Sequence, residues 1–123
     1  MKSFSFGDNP AMADELLDLV LQGRKIATSW ATVHGVLEGE EVGQRMIIKD
    51  STGKPRVIIE TTELTRHPFN EVDESFAHDE GEGDLSLEYW RKEHKAYFTR
   101  EGMFSEDMNV CCQRFRVVEV LTV

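Results

Sequence analysis

Cysteine is nearly absent: Cys111 and Cys112 are the only two in 123 residues. Neighbours on a strand point to opposite faces, so this pair supplies neither an intramolecular disulfide framework nor a zinc site. The scarcity fits a reducing cytoplasm. No apolar run approaches the roughly 18 to 20 residues needed to cross a bilayer, and the opening MKSFSF lacks the apolar stretch of a signal peptide. The expectation is a cytoplasmic protein without a membrane partner. Basic residues are also in short supply, with 14 Lys and Arg against 23 Asp and Glu and a net charge of −9. That balance removes the electrostatic attraction behind most nucleic-acid affinity, so long RNA or DNA is a disfavoured partner. A local basic patch stays open, because Arg24 adjoins Lys25 and Arg45, Lys49, Lys54 and Arg56 cluster across one predicted hairpin. The chain has no internal repeat, no low-complexity linker and no phosphate loop of the G-x-G-x-x-G or G-x-x-x-x-G-K-S/T kind.

What is present reads as one domain over 1–123, long enough to bury a core and too short for two. Asp8-Asn9-Pro10 offers a cap and a first-turn proline. Ala13, Leu16, Leu17, Val20 and Leu21 then recur at helical spacing up to Gly23. The run IATSWATV that follows reads as a strand, which puts Arg24 and Lys25 at a helix-to-strand junction. Residues 45–50 and 55–65, separated by Ser51-Thr52-Gly53-Lys54, read as an antiparallel hairpin. A short helix is expected over 69–80 with Asp73 as its cap, then an acidic loop over 80–84. A second helix over 86–100 carries Leu87, Trp90, His94, Tyr97 and Phe98 on one face. A closing strand over 110–123 has Phe115, Val117, Val118 and Val120 as candidates for burial. The order is α+β, without the regular alternation of a doubly wound fold.

Several residues could carry chemistry. Lys25 and Thr28 stand three apart, which on an ideal strand places them on opposite faces; a shared pocket needs a twist, bulge or junction between them. Their plain reading is a solvated lysine and a strand threonine. A partly desolvated Lys25 could instead act as base for a hydroxyl nucleophile. Asp79, Glu80, Glu82 and Asp84 invite a metal reading, yet their spacing matches neither a calcium loop nor a zinc set, and no metal or other cofactor is expected. A solvated loop capping the next helix is the plain alternative to a general acid or base there. Trp90 and His94 lie four apart, so they either line a cleft or belong to the core, and Trp30 is a further stacking candidate. His34, His67 and His78 read as surface residues, and Cys111 and Cys112 as structural ones.

The order of Gly23-Arg24-Lys25-Ile26-Ala27-Thr28, Val42-Gly43, Ala77-His78-Asp79-Glu80-Gly81-Glu82-Gly83-Asp84 and Trp90-Arg91-Lys92-Glu93-His94 resembles the ASCH domain family across nearly the whole chain. It looks most like the short, acidic, stand-alone bacterial members. The resemblance implies a PUA-like fold, a small closed or nearly closed β-barrel with flanking helices, and a cleft beside the first helix-to-strand junction. It also implies an activity, because similar members include an amidohydrolase that removes the acetyl group of N4-acetylcytidine. There a lysine and threonine of a G-x-K-x-x-T run and a later glutamate are the proposed catalytic groups, matching Lys25, Thr28 and Glu80. In that scheme Thr28 attacks the acyl carbon, Lys25 takes its proton and Glu80 holds or reprotonates partners, so Lys25→Ala should abolish turnover with folding intact. Arg24, Ser29, Trp30, Asp84, Trp90 and His94 are the expected substrate contacts. The E-G-E-G-D loop, Trp30 and the Trp90/His94 helix are not clearly shared with that deacetylase, which leaves the ligand open. The rival expectation is a non-catalytic module for a nucleotide or short RNA, and a third is a ribonuclease, since another family member is described as one.

Overall fold

The computed structural model describes residues 2–7, 9–31 and 41–121, so His34 lies outside the described residues. Five strands form one mixed sheet. β1 (Lys2–Phe4), β2 (Ala27–Ala31), β3 (Arg45–Lys49), β4 (Pro55–Pro68) and β5 (Asn109–Val120) are ordered β1-β3-β4-β5-β2. The sheet curls into a half-barrel with three helices against it, α1 (Pro10–Leu21), α2 (Glu74–Glu80) and α3 (Leu87–Arg100). β1 runs parallel to β3, and the other pairings are antiparallel.

The local reasons are the ones the residues announce. Asn9 caps α1 by accepting the Met12 N–H at 2.8 Å, Asp73 caps α2 at Phe76 and Ser86 caps α3 at Tyr89. The hairpin forms with β4 running three residues beyond the expected end. Ahead of α2, residues Phe69–Glu71 make a short 3-10 turn and Val72 is extended, so the expected 69–80 helix begins at Glu74. Alternation then sorts the strands: Met46, Ile48, Val57 and Ile59 pack under Leu17 and Val20 of α1, together with Phe6 and Phe115. A second cluster joins Ala27, Val110 and Cys112 of the sheet to Phe76, Trp90 and Phe98 of α2 and α3.

β5 departs from expectation. Its first half, from Val110 to Gln113, is buried on both faces, whereas Val117 and Val120 are exposed and only Phe115 of the four candidates is buried. Residues 110–114 have β2 on one side and β4 on the other, but beyond them only β4 continues, and the cover is lost. Cys111 and Cys112 are buried on neighbouring positions of β5, and burial pushes the Cys112 thiol up to about 12. The two arginines of the basic hairpin are paired, Arg45 with Glu60, which Arg116 shares, and Arg56 with Asp50, whereas Lys49 and Lys54 make no ion pair with a described residue.

Candidate functional site

Lys25 does not stand on a strand. It lies in the bend between α1 and β2, where the backbone N–H groups of Arg24 and Lys25 both donate to the Leu19 carbonyl, and this bend turns its side chain inward. The ammonium is 1 % exposed, lies 5.4 Å from the Phe6 ring centroid, and donates to Glu80 Oε1 (3.2 Å), the Glu80 carbonyl (3.3 Å) and Glu82 Oε2 (3.0 Å). Glu80 is the last residue of α2, not part of the acidic loop, and is equally buried. Its Oε2 accepts from Ser29 Oγ (2.9 Å), Trp90 Nε1 and His94 Nε2 (3.2 Å). One carboxylate therefore receives donors from the α1–β2 bend, from β2 and from α3.

Burial alone would push the Glu80 carboxyl up, but the Lys25 ammonium and the His94 ring outweigh it and hold the group well below the usual carboxylate range. His94 shows the converse. Burial disfavours its charge, yet Glu80 raises it above the ordinary value of 6.5. Its Nδ1 faces the Trp90 carbonyl at 2.8 Å; a carbonyl only accepts, so both ring nitrogens carry protons when Nε2 donates to Glu80. A group whose pKa is raised on folding contributes stability that is complete below its unfolded value and lost as pH rises through the folded one. Thermal melting between about pH 5.5 and about pH 9 should thus show stability falling from 6.5 upward, and His94→Gln should flatten that fall. Glu80, with its lowered pKa, loses its contribution only as pH falls below 4.5, outside this window.

Beside the network opens a cavity of about 360 Å³. Lys25, Thr28, Ser29, Glu80, Glu82 and His94 line one part of it, and Trp30, Tyr89, Tyr97, Met12 and Leu16 supply aromatic and apolar wall. Glu15, Glu93 and Arg100 border it too, all three exposed. The bend at Lys25 thus resolves the spacing problem posed by Lys25 and Thr28. The Thr28 hydroxyl makes no hydrogen bond to a described residue, so it is uncommitted.

Three expectations need correction. Arg24 does not border the cavity; its guanidinium donates to the Gly83 carbonyl at 2.6 Å and ties the bend to the acidic loop. Asp84 is also outside, accepting the Ser86 N–H at 3.0 Å ahead of α3. Trp90 is core, 2 % exposed and covered by the His94 ring stacked 4.2 Å away, so it cannot stack on a ligand; its indole N–H nevertheless reaches Glu80. His67 and His78 are on the surface as expected. Tyr89, Tyr97 and Glu82 were not singled out from the sequence as ligand contacts. Tyr97 shares the Trp90/His94 helix face, and Glu82 sits between two glycines, Gly81 and Gly83, both in the left-handed region.

The two glycines explain how the loop comes so near. A side chain at Gly81 would land on the Arg24 carbonyl and Lys25 Cα, and one at Gly83 on the Tyr89 ring. Glu80, Glu82 and His94 also have ligand atoms within 4.8 Å of one another, the spacing of a metal set. A metal ion there would have to displace the Lys25 ammonium from both carboxylates and strip the proton from His94 Nε2.

A curled mixed sheet with three helices and a cavity beside the first helix-to-strand bend defines a PUA-like α+β domain. The ASCH domain pattern matches residues 2–119, and the chain belongs to that family. An ASCH domain from Lactobacillus crispatus superposes with a TM-score of 0.87 at 35 % identity, covering 95 % of this chain and 79 % of that one. A protein from Enterococcus faecalis gives a TM-score of 0.86 at 37 % identity, covering 99 % and 82 %. The ASCH protein of Zymomonas mobilis shares the fold at 9 % identity, with a TM-score of 0.62 and coverage of 99 % and 71 %. No curated protein matches the chain.

Proposed function

We propose that this chain hydrolyses an amide on a small, planar, nucleoside-like molecule, with N4-acetylcytidine as the first substrate to test. The observation that carries this reading is a fully buried Lys25–Glu80 pair forming the wall of a cavity that also holds the uncommitted Thr28 hydroxyl. Burying two charges costs more in desolvation than a hydrophobic wall would, so structure alone gives little reason for the pair. Trp30 offers the base a stacking face, Thr28 is the nucleophile, and the acyl oxygen lies against Lys25. The sequence-level scheme gave Lys25 the role of base. The geometry supports a different one: its N–H groups point at a carbonyl and two carboxylates, so it serves as an ammonium that stabilises charge developing on the acyl oxygen. The longest of those contacts, 3.3 Å to the Glu80 carbonyl, is the one a substrate oxygen can replace. Glu80, with both oxygens already accepting, positions Lys25 and His94 and carries no proton.

The rival module for nucleotide or RNA shares the cavity but meets two carboxylates, Glu15 and Glu93, against the single Arg100 at its border. Neither makes an ion pair with a described residue, and both repel phosphate. The test is release of cytidine and acetate from N4-acetylcytidine by the wild type, with Thr28→Val as control. Lys25→Ala is a poor control, since it strands Glu80 and would disturb folding. Release by wild type and none by Thr28→Val is the expected result; no release by the wild type at micromolar enzyme overturns the hydrolase reading.

A further inference from the structure

An attacking threonine needs a group to take its proton, and the cavity offers few. Glu80 Oε1 and Oε2 already accept four side-chain donors between them. Lys25 presents an ammonium with an acceptor for each N–H. Both nitrogens of His94 are engaged, Nδ1 by the Trp90 carbonyl and Nε2 by Glu80. Glu82 differs from all three. One oxygen accepts from Lys25 at 3.0 Å, no described residue donates to the other, and its side chain is 24 % exposed where it lines the cavity. Glu15 and Glu93 are also uncommitted, but neither touches Lys25 or Glu80, so nothing ties them to the reacting end.

We infer that Glu82 is the general base of this site, an assignment that rests on the hydrolase reading above. Thr28 and Glu82 line the same cavity without a direct hydrogen bond, so the Thr28 Oγ–H proton passes through one water to the free oxygen of Glu82 as Oγ bonds to the acyl carbon. Glu82 returns that proton to the leaving nitrogen as the C–N bond breaks. Water then attacks the acyl-threonine ester and gives a proton to Glu82, the ester C–O bond breaks, and Oγ recovers the proton; amide and water have become acid and amine. The loop suits the task. Gly81 and Gly83 let its backbone approach the bend, and the Arg24 contact to Gly83 holds it there, so the carboxylate is fixed without being buried.

The experiment compares wild type, Glu82→Gln and Glu82→Ala for turnover of N4-acetylcytidine, for cytidine affinity by calorimetry, and for recovery with added formate. Glutamine keeps an oxygen for Lys25, so folding should persist, and a melting curve checks it. The expected result is a fall in kcat of at least about a hundredfold in both variants, with cytidine affinity little changed. Formate should restore turnover in Glu82→Ala but not in Glu82→Gln, whose pocket is full. Turnover by Glu82→Gln within about tenfold of wild type overturns the assignment and leaves the hydrolase reading standing. Inactive variants that formate fails to rescue overturn the base role and reduce Glu82 to a positioning residue. A wild type that never turns over sinks both.

Discussion

Replacing Glu80 by alanine is expected to remove about 3 to 5 kcal/mol of folding stability, because the buried Lys25 loses one of its two carboxylates and three further donors lose their acceptor. Domains of this size hold only about 5 to 15 kcal/mol in all. Lys25 and Glu80 are both about 1 % exposed, so neither can turn to water without opening the fold. Glu82 would still face Lys25, but Trp90 Nε1, Ser29 Oγ and His94 Nε2 would together lose their acceptor. Chemical denaturation reads the loss directly. A second variant separates the stranded charge from the lost acceptor: Lys25→Met with Glu80→Leu removes the charge, so only part of the stability should return, because Ser29 Oγ, Trp90 Nε1 and His94 Nε2 still lack their acceptor. A loss below about 1 kcal/mol for Glu80→Ala would mean that Lys25 has found another partner or water, and the account of the network would be wrong.

Gly81→Ala should cost nearly as much for a wholly different reason. The residue has φ 72°, in the left-handed region, where a Cβ costs roughly 1 to 2 kcal/mol. It also has no room, since that Cβ meets Arg24 and Lys25 backbone atoms, which cannot rotate aside as a side-chain tip could. Overpacking of this kind adds about 1 to 3 kcal/mol. Gly53→Ala is the natural control: its φ is 86°, and nothing lies within 4 Å of the added carbon. The difference between the two variants measures the close approach alone. Equal destabilisation of both would show that the loop can move away from the bend at no cost.

Much of this fold was legible in the residues. α1 carries its cap and its apolar stripe in plain sequence, α3 its stripe and α2 its cap, and the hairpin turn announces itself at Ser51-Thr52-Gly53-Lys54. β1 was not legible, because three residues hold too little pattern and its partner β3 lies more than forty residues on. Val117 and Val120 misled because alternation says which residues share a face but not whether that face is covered. The site followed the same division. Lys25, Thr28 and Glu80 came from a resemblance that spacing alone could not supply. Trp90 was ambiguous because it does two things, filling the core with its ring and reaching Glu80 with its N–H. Glu82 was one of four loop carboxylates that the sequence left open between solvated acid and general acid or base, and only the meeting of that loop with the bend at Lys25 tells it from the others.

That meeting joins distant parts of the chain. Lys25 is separated from Glu80 by 55 residues and from Glu82 by 57, and Ser29 from Glu80 by 51. Closing a loop of 55 residues costs roughly 3 to 4 kcal/mol of chain entropy, before any charge is taken out of water. Neither helix formation nor hairpin closure brings these groups together, so the cavity wall is complete only when the bend meets the loop. The quality-control consequence is direct: occupancy of the cavity reports a chain in which the bend and the acidic loop have met, and a ligand bound there stabilises that state.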